Sequence, residues 1–219
     1  MIWHPDIPEE YRNQIVTGDA RELAKRIPDE SIGLVVCDPV YWNTEDYGWI
    51  ALESERILVV GGSLIVQCGA AYLDKIMVSM LESRLDFVWT LCEELNHGNA
   101  RLWQLRIMQA WKPYLWFSKG KHTGAWIRDR LRPKPIKQYH QWGDGWQTFY
   151  TIINQLSPAG GLVFDPFTGG GTVPAVCKIL GRNYIAFEID PETADLARER
   201  VLNTQPPLFV PEPEQLELP

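Results

Sequence analysis

The 219-residue sequence predicts a doubly wound α/β fold with a mostly parallel, Rossmann-like sheet. Short apolar segments with strand character alternate along the chain with longer segments of helical periodicity. Two of the apolar segments end in Asp-Pro, and a glycine-rich bend follows one of them. Alternation of this kind is typical of strands joined by crossover helices.

The same patterns give each element its place. Strands are predicted at 14–17, 32–37, 63–67, 86–91, 114–117, 162–164 and 184–188, and helices at 20–27, 47–58, 70–83, 145–156, 172–180 and 191–202. The last helix is the best marked, because Pro191 stands in its first turn and Arg198 and Arg200 lie near its end, as the helix dipole favours.

A cofactor pocket is predicted where the apolar strand 162–164 meets Asp165 and the chain then enters a glycine-rich bend. Glycine lets the backbone approach a ligand closely, and Thr172 is placed to cap the following helix with free N–H groups aimed at that ligand. About twenty residues on, the strand 184–188 ends in the acids Glu188 and Asp190, where a ribose is usually bound.

The acid in front of the glycines decides the kind of ligand. A carboxylate at this strand end would repel a pyrophosphate, so the ligand is expected to carry a cation. S-adenosylmethionine fits, since it has an α-ammonium and a sulfonium group at one end and a ribose at the other.

A second site is predicted far upstream, where the apolar strand 32–37 ends in Asp38-Pro39 and two aromatic residues, Tyr41 and Trp42, follow. Proline cannot continue a central strand, so Asp38 is expected at the carboxyl edge of the sheet, where open α/β folds bind ligands. The Asp38 side chain and the Pro39 carbonyl can accept hydrogen bonds from an exocyclic amine. An aromatic ring beside them can stack on a base, as a flipped nucleobase requires.

With both motifs read, the chain resembles the DNA amino-methyltransferases, which methylate adenine N6 or cytosine N4. Because Asp-Pro-x-Tyr precedes Asp-Pro-Phe-x-Gly-x-Gly, it is most similar to the circularly permuted β class, over roughly residues 14 to 203. Two positions depart from the family pattern: Val40 replaces the second proline of Asp-Pro-Pro-Tyr, and Asp144 replaces a glutamine in the element 140–145, which also holds His140 and Trp142.

The resemblance implies a Rossmann-like methyltransferase fold, S-adenosyl-L-methionine as cofactor, double-stranded DNA as partner and a place in a restriction-modification system. It implies catalytic roles for Asp38, Pro39 and Tyr41. The implied cofactor-binding residues are Asp19, Asp38, Asp165, Pro166, Phe167, Gly169, Gly171, Thr172 and Glu188. Adenine N6 is favoured as the target, because Asp at the first motif position goes mostly with adenine in the family.

Other interpretations stay open on the sequence alone. Cytosine N4 is the alternative target, and an inactive DNA-binding relative or an enzyme acting on RNA or protein amines would keep the same motifs. Asp38 could instead cap a turn, and Asp165 with its glycines could form a purely structural turn. Asp19 could cap a helix. Asp190 could cap the last helix, so Glu188 is preferred for the ribose.

A basic and aromatic segment, residues 97–138, is the predicted target-contacting region. It holds ten Lys or Arg residues against one acid although the whole chain carries a formal charge of −7. Such a block can neutralise phosphates locally, and its tryptophans suit base stacking. Trp111 and Trp116 could equally belong to the core, since 114–117 has the pattern of a buried strand.

The remaining composition fits one methyltransferase domain at 1–204, with a short basic insertion at about 118–138 and a Pro/Glu-rich tail at 205–219. The four cysteines show no C-x-x-C spacing, which argues against a zinc site and favours reduced thiols. No run of 18 apolar residues occurs, so a cytoplasmic protein without a membrane partner is expected, as a monomer or homodimer.

Overall fold

The computed structural model describes residues 3–95, 100–102, 106–122, 125–132 and 146–206. The strands, in chain order, are β1 Gln14–Thr17, β2 Ile32–Cys37, β3 Leu58–Gln67, β4 Asp86–Glu94, β5 Ala100–Leu102, β6 Ile107–Gln109, β7 Trp111–Ser118, β8 Arg130–Leu131, β9 Leu162–Asp165 and β10 Asn183–Glu188. The α-helices are α1 Ala20–Leu23, α2 Thr44–Ile57, α3 Leu73–Met80, α4 Trp146–Leu156, α5 Thr172–Leu180 and α6 Pro191–Asn203.

Eight strands form one sheet in the order β1-β10-β9-β2-β3-β7-β4-β8. The first five run parallel to one another, whereas β7 is antiparallel to both of its neighbours, β3 and β4. Strands β5 and β6 form a separate antiparallel hairpin. The predicted doubly wound, mostly parallel α/β fold is therefore confirmed.

Helices cover both faces of the sheet, and the alternation of side chains along the strands feeds two cores. Val35 and Cys37 of β2 face the layer that contains α2 and α3, while Leu34 and Val36 face α4, α5 and α6. Both layers are fully apolar at the centre, with residues such as Phe164 almost completely buried. Burial of each such side chain stabilises the fold by about 1.5–3 kcal/mol.

Several predicted boundaries shift for identifiable reasons. The predicted helix at 20–27 ends as an α-helix at Leu23 and continues as a 3-10 turn, and a 3-10 turn also precedes α3. Strand β3 begins at Leu58 rather than residue 63, because the pair Gly61-Gly62 forms a bulge inside the strand instead of a turn before it. Helix α2 begins three residues earlier than predicted, and strands β5, β6 and β8 were not predicted.

Other expectations also meet the structure. Cys37, Cys68, Cys92 and Cys177 are free thiols, and all but Cys92 are buried. Within the described ranges, no helix has both the length and the apolar character needed to cross a membrane. The element 140–145 and the part of the predicted tail from residue 207 onward lie outside the described residues, as do Trp103, Lys134 and Lys137.

Candidate active site

The two Asp-Pro motifs come together at the point where the sheet changes winding direction. Strands β2 and β9 are neighbours in the sheet, with Leu34 opposite Val163 and Val35 opposite Phe164. The helix after β2 packs on one face and the helix after β9 on the other. Open α/β sheets bind ligands in the crevice that this divergence leaves at the carboxyl ends of the strands. Asp38 and Asp165 both lie at that edge.

Asp165 is the more buried of the two acids, with only 3% of its surface exposed. Burial raises its pKa to about 7, and the neighbouring charges of Asp38 and Glu188 act in the same direction. The amide N–H of Phe167 donates to Asp165 Oδ1 over 3.2 Å and partly offsets this. A buried carboxyl group whose pKa stays raised although the Phe167 amide and the Thr168 side chain lower it is suited to bind a cation, which would hold it in the ionised form.

The glycine loop follows directly. Gly169 and Gly171 have positive φ angles of 47° and 76°, which side chains rarely adopt. A Cβ atom on Gly171 would lie 2.9 Å from Cβ of Ala197, whereas the space in front of Gly169 is open. Gly171 thus lets α5 pack against α6, while Gly169 leaves room for a ligand.

The expected capping role of Thr172 is wrong. Gly171 is the N-cap of α5, so Thr172 is the first helical residue and its side chain makes no cap hydrogen bond. Its hydroxyl instead accepts a hydrogen bond from Arg200 of α6 over 3.0 Å. Because Gly171 takes the left-handed conformation, the helix begins one residue earlier than a Thr cap would require.

Glu188, at the end of β10, braces the glycine loop. One of its carboxylate oxygens accepts from the amide of Gly169 and the other from the amide of Asp190, both over 2.9 Å. Asp190 itself caps α6 by accepting from the amide of Thr193 over 2.8 Å, as the sequence indicated. Glu188 is therefore the acid that faces the loop, which keeps it as the predicted ribose ligand.

Asp19 occupies the same edge of the sheet, beyond β1, because Thr17 pairs with Glu188. Its side chain caps α1 by accepting from the amide of Arg21 over 2.8 Å, so the helix-cap interpretation is confirmed. The side chain is also exposed, and its second oxygen has lone pairs available to a ligand. Both roles are compatible.

An aromatic wall stands beside this end of the pocket. Phe167 packs edge-on against Trp49, with ring centroids 5.8 Å apart. The Arg21 guanidinium lies 5.7 Å from the Trp49 ring and forms a 2.7 Å ion pair with Asp46. Pro166 is buried at the start of the loop. These residues offer an apolar surface next to the carboxylates of Asp165, Glu188 and Asp19. A nucleoside with a cationic end requires such a combination.

Asp38 lies in the crevice. Part of its side chain is exposed to solvent, and protein atoms surround the rest. Desolvation in the crevice raises its pKa to about 6, although the positive charge of Lys112 and a hydrogen bond from Tyr41 oppose the shift. The buried Pro39 carbonyl accepts a hydrogen bond from Tyr47 over 3.3 Å. A carbonyl oxygen has two lone pairs, so it can accept a second hydrogen bond.

Tyr41 serves Asp38 through its hydroxyl group as well as offering its ring. The ring lies directly against Gly69, where an added Cβ atom would come within 3.0 Å of the Tyr41 Cβ atom. The hydroxyl accepts a hydrogen bond from the Gln67 amide and lies near enough to Asp38 to favour its ionised form by hydrogen bonding. Val40 and Trp42 beside it are largely exposed. The loop that carries the motif is therefore anchored by Tyr41 rather than by the residue that departs from the family pattern.

Four polar residues near Asp38 were missed by the sequence analysis: Gln67, Glu93, Lys112 and Tyr114. All but Lys112 are almost completely buried: Gln67 and Glu93 lie at the ends of β3 and β4, and Tyr114 lies in the first half of β7. Polar residues at the ends of apolar strands were the available signal. Only the antiparallel position of β7 between β3 and β4, however, brings them together.

Residues 125–132 of the predicted target-contacting segment lie at the far edge of the sheet with β8, whereas residues 111–118 of the same segment form the interior strand β7. Arg128, Arg130 and Arg132 are exposed along and beside β8, and the last two form ion pairs with Glu94. They line a cavity of about 1010 Å³ together with Trp89 and Trp126, whose rings are largely exposed. Trp116 is 6% exposed and belongs to the core, whereas Trp111 is 37% exposed and does not.

In the part of the chain that the structure describes, no three His, Cys, Asp or Glu side chains are grouped so that they could hold a metal ion. The chemistry offered at the crevice is that of carboxylates, a carbonyl and aromatic rings.

Comparison with known proteins gives consistent relatives. Residues 126–199 match the family model of the N6/N4 DNA methylases. The chain is 26% identical to the type II methyltransferase M.HinfI of Haemophilus influenzae, over 90% of this chain and 70% of that protein. The crystal structure of the M1.HpyAVI–SAM complex superposes with a TM-score of 0.70 at 23% identity, covering 86% of this chain and 98% of that one.

A further solved structure, the cytosine-N4-specific PvuII DNA methyltransferase, superposes with a TM-score of 0.72 at 20% identity, covering 85% of each chain. At these identities the structural matches establish a shared fold, with the sheet and flanking helices of these methyltransferases.

Proposed function

We propose that this chain, whose family-model match and type II methyltransferase relatives support a DNA amino-methyltransferase, transfers a methyl group from S-adenosylmethionine to an exocyclic amine of DNA. The observation that carries the proposal is the adjacency of β2 and β9, which sets a raised-pKa acid for the cofactor beside a motif of hydrogen-bond acceptors for the amine.

The chain's residues fit the cofactor. Asp165 would bind the cationic end of the cofactor, Glu188 its ribose, and the aromatic surface at Phe167 its adenine. The open space at Gly169 would let the cofactor approach the backbone closely. Asp19, Pro166, Gly171 and Thr172 shape the same edge. When bound, S-adenosylmethionine supplies a methyl group made electrophilic by the adjacent sulfonium.

The acceptors at Asp38 and Pro39 would activate the amine. An exocyclic amine conjugated with its ring is a poor nucleophile, because its lone pair is delocalised. The Asp38 carboxylate and the Pro39 carbonyl would accept hydrogen bonds from its two N–H groups. These hydrogen bonds favour a tetrahedral nitrogen whose lone pair points at the methyl group. The remaining requirement is positioning, to which the Tyr41 ring contributes by stacking on the base.

The pKa of Asp38 suits this role on both sides of the transfer. A value of about 6 leaves the carboxylate mostly ionised at neutral pH, so it can accept the amine hydrogen. The same value makes it basic enough to take the proton that leaves the methylated amine. No covalent intermediate and no strong base are needed.

For the target base, we propose adenine N6. Asp38 stands at the first motif position, and an aspartate there goes mostly with adenine in this family. Cytosine N4 is the second candidate, because its amine presents the same two N–H groups and a structural relative is cytosine-N4-specific. Double-stranded DNA would meet the exposed arginines beside β8 through its phosphates.

The decisive experiment expresses the chain in a methylase-deficient host and analyses the digested DNA by nucleoside mass spectrometry. We expect N6-methyladenine with the wild-type chain and none with Asp38→Ala. Calorimetry on both proteins should show similar S-adenosylmethionine affinity, because Asp38, although it was also expected to border the cofactor, acts mainly on the amine. N4-methylcytosine alone would replace the proposed base, and cofactor binding without any methylated base would favour an inactive DNA-binding relative.

A further inference from the structure

We propose that a buried chain of hydrogen bonds behind Asp38 accommodates the proton released by methyl transfer. The inference rests on the proposed function, because that proton comes from the amine that is methylated. Five side chains form this acceptor chain: Asp38, Tyr41, Gln67, Tyr114 and Glu93.

The contacts run in one continuous line from the crevice into the sheet. The Tyr41 hydroxyl lies between Asp38 and the Gln67 amide nitrogen. The Gln67 amide oxygen meets the Tyr114 hydroxyl, which also lies 2.7 Å from Oε2 of Glu93. Glu93 is 1% exposed, and its other oxygen has no hydrogen-bond partner among the described residues.

A count of hydrogens shows why the acceptor chain has two arrangements. Its five members make four contacts, and each contact requires one hydrogen. With both carboxyl groups ionised, each tyrosine supplies one hydrogen, and the Gln67 amide supplies one to whichever tyrosine its nitrogen faces. Three hydrogens therefore serve four contacts, so Gln67 and Glu93 compete for the single hydroxyl hydrogen of Tyr114.

One additional proton completes the chain, either on Glu93 with the amide as it stands or on Asp38 after the amide turns over, and methyl transfer delivers the proton to Asp38. Asp38 then donates to Tyr41, Tyr41 to the Gln67 amide oxygen after the amide turns over, Gln67 to Tyr114, and Tyr114 to Glu93. All four contacts are made at once, and the buried Glu93 carboxylate receives an undivided hydrogen bond. The protonated form of Asp38 is thereby stabilised by groups that never touch the substrate.

Methyl transfer releases one such proton. The amine lone pair forms the new N–C bond, and the bond between the methyl group and sulfur breaks with its electron pair passing to sulfur. One N–H proton of the methylated amine passes to an Asp38 oxygen, and its electron pair stays on nitrogen. Gln67, Tyr114 and Glu93 are thus positioning residues for the acid that receives the proton.

Other groups also affect the pKa of Asp38. Lys112, opposite Glu93 in the sheet, favours its ionised form, whereas the charge of Glu93 opposes it. Asp165, the cysteine Cys68 and the buried Tyr47 lie near it as well. A test must therefore separate the hydrogen count from the charge of Glu93.

Two variants make that separation through the pH dependence of the single-turnover methylation rate, measured with unmethylated plasmid DNA and radiolabelled S-adenosylmethionine. In the wild-type chain the rate should fall below about pH 6 as Asp38 takes up a proton. Glu93→Gln brings its own amide hydrogens and completes the chain with Asp38 ionised. This acid limb should then move about 0.5–1 pH unit lower, the equivalent of one hydrogen bond.

Gln67→Met keeps the Glu93 charge but cuts the chain, so that Tyr114 donates only to Glu93 and Tyr41 only to Asp38. We expect a shift of the acid limb in the same direction, by about 0.5–1 pH unit, since neither carboxyl group then shares a hydrogen. If only the charge of Glu93 mattered, Gln67→Met would leave the limb in place, and that result would overturn the inference.

Asp86→Asn, which removes an exposed carboxylate from the opposite end of β4, is the control and should not move the limb. Thermal melting checks that each variant folds, and Gln67→Met alone decides the matter if Glu93→Gln does not fold. Absence of transfer by the wild-type chain would refute the proposed function. Transfer with an unmoved limb in Gln67→Met refutes this inference alone.

Discussion

The affinity for S-adenosylmethionine should depend on pH through Asp165. Its carboxyl group is almost completely buried, and its pKa is raised to about 7. A cationic ligand binds the ionised form, so protonation of Asp165 competes with binding. Below pH 7 the dissociation constant should rise about tenfold for each pH unit, and near pH 7.5 it should level off.

Calorimetry between pH 5.5 and 7.5 checks this expectation. The upper limit is set by the ligand, because an α-amino group loses its proton at about 7.7–8.0. Asp165→Asn is the matched variant, since it keeps the shape of the side chain and cannot ionise. It should bind weakly at every pH in this window, with no slope. A wild-type affinity that is flat from pH 5.5 to 7.5 would refute the assignment of Asp165 to the cationic end.

The same substitution should stabilise the ligand-free protein. The folded-state pKa of Asp165 lies above its ordinary value of 3.8. Ionising this buried carboxyl group therefore destabilises the folded protein, and this cost is absent below pH 3.8 and grows until about pH 7. Raising the pKa of Asp165 from 3.8 to about 7 corresponds to a loss of stability of about 4 kcal/mol at pH 8. The Asp165→Asn chain should therefore melt at a higher temperature than the wild type at pH 8 and at a similar temperature at pH 4. Equal melting at pH 8 would contradict the raised pKa.

Three further expectations concern the target side of the crevice. Changing Arg128, Arg130 and Arg132 together to alanine should weaken DNA binding similarly for all sequences. Titrations at several salt concentrations should show that the slope of log K against log salt concentration becomes shallower by about three. Val40→Pro should keep or raise the transfer rate, because Val40 is exposed in a loop and proline stiffens it; a loss above about tenfold would contradict this. Gly69→Ala should displace the Tyr41 ring and slow single-turnover transfer while leaving cofactor affinity unchanged by calorimetry.

Much of the sheet and both edges of the crevice could be predicted from the sequence, because their signals are local. Asp38 and Asp165 each follow an apolar strand and precede proline, which fixes them at the carboxyl edge wherever the strands lie in the sheet. The cap at Asp190 was visible for the same reason. Thr172 misled because a capping residue type stood beside a glycine that could adopt the left-handed conformation and begin the helix itself.

The acceptor chain could not be predicted from the sequence, for a different reason. Gln67, Glu93 and Tyr114 are separated by more than twenty residues from one another, and their contact depends on the insertion of β7 between β3 and β4. A pattern of alternating strands and helices predicts parallel neighbours and gives no hint of one antiparallel strand. Local periodicity specifies which face a residue takes, whereas strand order decides which residues share that face.

The position of β7 links the fold to the chemistry. An antiparallel strand beside β3 brings its first residues, rather than its last, to the edge where β2 and β9 end. Lys112 and Tyr114 lie near the beginning of β7, so they reach Asp38 and Gln67 at that edge. A parallel strand in the same place would bring Ser118 there instead. The strand direction therefore provides both the positive charge that opposes the raised pKa of Asp38 and the hydroxyl that connects it to Glu93.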